Sequence, residues 1–295
     1  MAAYHAGERA VQRRAGLEGQ AAMGGRAIGA TIPDVAAAFL AHQPMIAVGA
    51  AGQDGRIWAS LLTGAPGFLR SDDPATLTIA TRPIPGDPLA GVLAGPAKVG
   101  MIAIEPATRR RMRINGTSLP EAHGLRVVPD QVLANCPKYI QKRDHSFVAG
   151  EPRTPRRGTE LTDAQRRAIG AADTFFVATA APDGDADTSH RGGAPGFVQV
   201  LSPTRLRWPD YVGNAMFLTL GNLELRPEAG LLFPDWKSGT LLQLTGTART
   251  VWDTAGLPGA QRLVEFSIDE VRETAQAVPL RWTDPAYSRF NPPVA

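Results

Sequence analysis

A chain of 295 residues, 43% hydrophobic and 20% charged, is long for one core, comfortable for two, and too apolar for intrinsic disorder. A formal charge of +3, with arginines scattered along the chain and lysine only at Lys98, Lys138, Lys142 and Lys237, gives no basic face of the kind that binds nucleic acid. A single cysteine, Cys136, excludes a disulfide framework and a Cys-based zinc site, and no apolar run approaches the ~20 residues that span a bilayer.

Residues 1–30 are rich in Ala, Gly and Arg and weakly patterned. They predict an arm over the body of the protein, with a turn or two of helix near Ala10–Arg14. The arm lacks an apolar h-region and carries Glu8 early, so no signal peptide is read and a cytoplasmic location is expected.

From Thr31 onward one pattern occurs twice. Pro33-Asp34 starts a helix of about a dozen residues, and Thr162-Asp163 starts another at an offset of 129 (163 minus 34). Each helix leads into a β-type run, Pro44–Gly49 and Thr174–Thr179. Each run ends at an Asp-Gly turn, Asp54-Gly55 and Asp183-Gly184, the strongest short hairpin signal. The next strands carry Ser60 and Ser189, and each is followed by the same pentapeptide, Gly64-Ala-Pro-Gly-Phe68 and Gly193-Ala-Pro-Gly-Phe197. Further strands are predicted at 76–80 and 204–208, helical stretches at 88–94 and 215–225, and strands at 99–106 and 229–236. The last predicted strands are 113–117 and 242–248. The segments beyond them, around Gln131–Lys142 and Val264–Val271, read as diverged tails.

An offset sustained from residue 34 to residue 116 implies an internal duplication. Each copy holds five or six short, evenly spaced strands, the signature of a small barrel. The expected organisation is an arm (1–30), a first barrel (31–143), a Pro/Gly/Arg-rich linker (144–160), a second barrel (161–275) and a C-terminal tail (276–295). The fold class is mostly β or α+β.

The most chemically loaded stretch is Asp187–Val198. Arg191 offers a planar fork of donors suited to phosphate or carboxylate. Gly192 and Gly193 would let backbone N–H groups approach an anion, since no Cβ intervenes. Leu206–Asn214 adds flat rings (Trp208, Tyr211) beside Asp210 and Asn214. The five histidines include no i, i+4 pair, so no metal centre is expected. His190, beside Arg191, should be held neutral. No Ser–His–Asp relay is evident, and no catalytic residue is assigned.

Ser189-x-Arg191, Pro209-Asp210-Tyr211-x-Gly213-Asn214 and Leu231-Leu-Phe-Pro234, followed by the strand to Gly246-Thr247-Ala248, resemble the FMN-binding split barrel of the pyridoxamine 5′-phosphate oxidase family. His190-Arg-Gly-Gly-x-Pro-Gly-Phe-Val198 and Asn135-Cys-Pro-Lys-Tyr-Ile-Gln141 are similar to a tandem-domain bacterial branch of it. The resemblance implies two tandem split β-barrels with short flanking helices, and FMN held between them. It implies an oxidoreductase acting on a small-molecule substrate or redox partner, with no nucleic-acid or membrane partner and room for a homodimer. A non-catalytic flavin- or haem-binding protein is the alternative. By the same resemblance Arg191 would hold the FMN phosphate, and Ser189, Gly192 and Gly193 would line the flavin edge, with His190 orienting flavin or substrate. Asp210, Tyr211 and Asn214 would lie near the phosphate and ribityl chain, and Gln243, or Leu241 on the same strand face, near the ring. Lys138 and Tyr139 could reach across from the first copy. The oxidases carry a Lys shortly after their Arg, where this chain has apolar residues, so pyridoxamine phosphate is not the expected substrate. Subtracting 129 maps His190 and Arg191 onto Leu61 and Leu62, so one site is expected, built mainly on the second copy.

Overall fold

The computed structural model describes residues 4–134, 136–213 and 215–294. The arm holds more helix than its composition predicts. α1 (Ala6–Ala15) opens with a reciprocal cap in which His5 accepts from Gly7 and Glu8 accepts from the His5 N–H, and it closes at Gly16 with φ +68°. α2 (Glu18–Gly25) follows, with only Ala21 buried.

The first half contains α3 (Asp34–Ala41), β1 (Met45–Ala51), β2 (Ile57–Thr63), β3 (Leu69–Asp73), β4 (Thr76–Ile79), β5 (Ala97–Glu105), β6 (Arg110–Glu121) and β7 (Gly124–Ala134). Two short strands follow, β8 (His145–Phe147) and β9 (Arg156–Gly158). The second half contains α4 (Asp163–Ala171), β10 (Thr174–Ala180), β11 (Ala186–Gly192), β12 (Gln199–Ser202), β13 (Arg205–Tyr211), α5 (Leu218–Leu225), β14 (Glu228–Pro234), β15 (Leu241–Val251), β16 (Ala260–Thr274) and β17 (Leu280–Trp282).

The strands form two large antiparallel sheets of one design. The first runs β2-β1-β5-β6-β7-β4-β3 and the second β11-β10-β14-β15-β16-β13-β12. Even the irregularities repeat, with the β6–β7 register slipping at Asn115/Gly116 and the β15–β16 register at Thr245/Gly246. The pentapeptide loops are fixed alike. Gly64 and Gly193 donate to Pro44 and Asp173, and Gly67 and Gly196, at φ +92° and +93°, donate to Ala41 and Gly170.

Several expectations change. Of the segments read as diverged tails, 264–271 lies within the long strand β16 and 131–134 ends β7, which holds the equivalent place in its sheet, while 136–142 lies beyond β7. The helical stretch at 88–94 shrinks to a 3₁₀ turn at Val92–Ala94, and α3 and α4 have eight and nine residues rather than a dozen. The 144–160 linker is tied down, with β8 pairing with β17 and β9 with β16.

Period-two alternation explains how the halves meet. Ile46, Val48 and Ala50 of β1 point into the first core, and Phe175 and Val177 of β10 into the second. The alternate residues, Met45 and Ala47 with Phe176, Ala178 and Ala180, join Ile57, Ile102, Leu232 and Leu241 in a third cluster between the sheets. At ~1.5–3 kcal/mol for each large side chain buried, that cluster contributes on the order of 10 kcal/mol before ordering costs.

Candidate functional site

β6 brings the two halves to one crevice. Met112 and Ile114 face the first core, so Arg111, Arg113 and Asn115 project the other way, toward β11 of the second half. Arg111 Nη1 lies 2.8 Å from His190 Nδ1. Arg113 Nη1 contacts both Asp187 carboxylate oxygens, at 3.1 and 3.2 Å, and Thr219 Oγ1 donates to the same carboxylate at 3.2 Å. An arginine can only donate, so His190 Nδ1 accepts and the imidazole carries its proton on Nε2. Nε2 is buried and finds no partner among the described residues.

Around these groups lies a cavity of about 200 Å³ lined by Arg111, Arg113, Lys138, His190, Arg191, Gly192, Asp210 and Tyr211, with Cys136, Tyr139 and Gly213 at its edge. Gln20 and Gly24 of α2 also line it. Four cations thus line it with one carboxylate, Asp210, and of the four Arg113 is already paired with Asp187. Arg191, with its side chain 12% exposed, lies 3.9 Å from Asp210 Oδ1, and Arg262 Nε lies 3.2 Å from Asp210 Oδ2. Crowding and burial act together. The Arg111 guanidinium is pulled down to about 9 by burial, then by Arg113 and Arg191. Arg191 is lowered by burial, with Asp210 opposing. His190 falls well below the usual imidazole range through burial, then Arg111, Arg191 and Arg113, which is the neutral form its sequence neighbours predict. Tyr211 is pushed up to about 12 by burial and Tyr139, whose ring centroid lies 5.1 Å away.

Of the residues singled out in the sequence, Lys138, Tyr139, His190, Arg191, Gly192, Asp210 and Tyr211 come together here. Asn214 lies outside the described residues. Ser189 stands behind the crevice, fully buried, with Oγ 2.9 Å from Thr219 Oγ1. The two glycines serve the protein's own packing rather than an open cradle. A Cβ on Gly192 would overlap the Tyr139 carbonyl oxygen, and one on Gly193 the Phe197 ring, while the Gly193 N–H is spent on Asp173. Gln243 is across the molecule, where its Nε2 donates to Ala59 O, Ser60 Oγ and Asp87 Oδ2 at 2.9, 2.8 and 3.1 Å. The positions equivalent to His190, Arg191 and Arg111 are Leu61, Leu62 and Leu241, all buried, with Leu61 and Leu241 in the cluster between the sheets and Leu62 in the first core.

Arg111 and Arg113 are the residues that reading the sequence missed. The signal was present: an offset of 130 carries Leu241 and Gln243 back to them (241 and 243 minus 130). What a single copy does not show is that this strand serves the other copy's crevice.

Residues 161–278 match the family model for pyridoxamine 5′-phosphate oxidase. The similarity thus falls on the half that carries Arg191 and covers less than half of the chain. No curated protein matches. Solved structures similar to the chain include HupZ of Group A Streptococcus (11% identity, 37% of this chain and 90% of that one, TM-score 0.30). A FAD-binding protein of Mesorhizobium loti matches at 14% identity over 41% of this chain and 97% of that one, with TM-score 0.29. A Clostridium acetobutylicum protein of the pyridoxinephosphate oxidase family, related to general stress protein 26, matches at 12% over 40% and 89%, with TM-score 0.27. No helix among the described residues is long and apolar enough to cross a membrane, and among those residues no group of three His, Cys, Asp or Glu is placed to hold a metal ion.

Proposed function

We propose that this chain is an FMN-dependent oxidoreductase built as two tandem split barrels, 31–143 and 161–275, that holds one flavin between them. The observation that carries the reading is the excess of cation in the crevice: Arg111, Arg191 and the half-buried Lys138 against Asp210, Arg113 being already paired with Asp187, with Arg111 Nε and His190 Nε2 lacking partners among the described residues. Unmatched buried cations and donors are costly, and an anion with several acceptor oxygens relieves both. The donor set therefore fits a phosphate. A cavity of about 200 Å³ suits the phosphate end of a nucleotide better than the whole of it.

In this reading Arg191 and Arg111 grip the phosphate from opposite halves, and Lys138 closes the side. The Nε2–H of His190, fixed by Arg111, adds a neutral donor. The site is thus asymmetric, the first half giving two arginines and the second half an arginine and the imidazole. FMN would supply the hydride or electron transfer, and the chain supplies binding, orientation and shelter from water. The sequence match over residues 161–278, in the half that holds Arg191, supports flavin over other phosphorylated ligands.

Titration of the purified protein with FMN, followed by flavin fluorescence, tests this. Arg191→Ala and Arg111→Ala should each weaken binding about 30-fold or more, the loss of a charge-assisted contact worth ~2 kcal/mol. Gln243→Leu, remote from the crevice, should change it less than about threefold. Undiminished affinity in both arginine variants would sink the assignment.

A further inference from the structure

A second cavity, about 650 Å³, lies on the far side of the Arg113–Asp187 pair, between the halves and beneath the arm. Its charge is opposite to that of the first. Asp130, Asp183, Asp185 and Asp187 line it together with Glu8 of α1. The one lysine there, Lys98, already bridges Asp130 at 2.9 Å and Asp185 at 3.0 Å. Asp187 is matched from behind by Arg113. Glu8 has no such cation against it among the described residues. It is 4% exposed, and its Oε2 accepts the His5 backbone N–H at 2.7 Å, while Oε1 lies 3.7 Å from His5 Nε2. His5 is itself engaged by Gly7 and Asn222.

A second observation is independent of the carboxylates. Asn115 lines the same cavity and is 7% exposed. Its Nδ2 donates to Gln131 Oε1 at 3.1 Å and to Asp187 Oδ1 at 3.4 Å, yet its Oδ1 has no partner among the described residues. Buried acceptors are seldom left so. A lone carbonyl oxygen beside two carboxylates calls for a ligand that brings donors and positive charge.

We propose that this cavity binds a small organic cation, an amine or guanidinium compound, between Glu8, Asp187 and the Asn115 carbonyl. The inference rests on the proposed function in one respect: the anionic end of the cofactor takes the neighbouring pocket, so the cation sits beside the flavin as its substrate class. The cleft then sorts its ligands by charge, anion on the Arg111 side and cation on the Glu8 side. Glu8 gives the binding a pH signature. Burial above all, then Asp187, pushes its carboxyl up to about 8, against the His5 N–H and Arg9. Lys98, Asp130, Asp183, Asp185 and His5 are the other titratable groups lining the cavity, with Tyr4 at its rim. Below pH 8 an incoming cation must expel the Glu8 proton, so affinity rises with pH, by up to about tenfold per unit, and levels off above.

Calorimetric titration of the full chain with agmatine, from pH 6 to 9 and with or without saturating FMN, tests the site. One agmatine per chain is expected, tighter toward pH 8. Glu8→Gln keeps the helix cap, since Gln serves that position equally. It should weaken agmatine about tenfold or more at pH 8, flatten the pH dependence and leave FMN affinity unchanged. No saturable heat at pH 8, or equal binding by wild type and Glu8→Gln, overturns the inference. So does loss of agmatine binding under saturating FMN, which would give the cavity to the flavin ring. A protein that binds agmatine but not FMN overturns the proposed function instead.

Discussion

At the scale of single residues, two buried groups give the protein opposite responses to pH. Glu8 has a raised folded-state pKa, so its stabilising effect is full below about 4.5 and is lost as the pH climbs to about 8. Glu8→Gln removes that loss. Urea midpoints should show the variant equal to wild type at pH 4.5 and more stable at pH 8, by on the order of 3 kcal/mol. His190 is the reverse case. Its folded pKa is depressed, so its contribution stands above the ordinary imidazole value near 6.5 and drains away as the pH falls below it. His190→Gln should flatten the acid limb of the same urea series and leave the alkaline limb unchanged. An acid limb as steep as that of wild type would refute the buried neutral imidazole. Arg191, Asp210 and Tyr211 stood out in the sequence by their chemistry and Lys138 and Tyr139 through the resemblance, and the five line one cavity. Gln243 was misplaced for a geometric reason: alternation says which face of a strand a residue takes, not which half of the molecule that face meets.

At the scale of elements, glycines set how closely the sheets approach. A Cβ on Gly100 of β5 would overlap the backbone of Asp187 on β11, and one on Gly230 of β14 the backbone of Ile57 and Trp58 on β2. These contacts are counterparts, 130 and 129 positions apart (230 minus 100, 187 minus 58). Gly100→Ala should therefore cost about 2–4 kcal/mol by forcing the sheets apart. Gly19→Ala is the contrast. That position in α2 meets open space, and replacing a helical glycine by alanine should gain up to ~1 kcal/mol. Denaturant midpoints of the two variants should move in opposite directions, and a shared direction would refute the close-approach account. The duplicated turns and short strands were legible because Asp-Gly and Gly-Ala-Pro-Gly-Phe punctuate them. β7 and β16 were not, because the residues of the two copies diverge there, although alternation continues through both.

At the scale of the whole molecule, three clusters hold two sheets together, and the middle one belongs to neither half alone. Heating should thus give one cooperative transition, with calorimetric and van't Hoff enthalpies in agreement. Two resolved transitions would mean that the shared cluster is weaker than its burial implies. The closed counterpart of the crevice also sets a stoichiometry. Ser60 Oγ reaches Asp87 Oδ1 at 2.6 Å and Gln243 seals the gap, so FMN titration should end at one equivalent per chain, and an endpoint of two would mean that this seal opens.

The mismatch between the two crevices has an evolutionary consequence. Separate identical subunits around a twofold axis must carry every substitution twice, so a site there can be lost only together with its mate. Two copies on one chain escape that rule. Leucines at 61, 62 and 241 stand opposite His190, Arg191 and Arg111, so one crevice could turn to mortar while the other stayed a vessel. On one chain the leucine-lined side can answer to stability alone, while Arg111 and Arg113 of the same half still serve the other crevice.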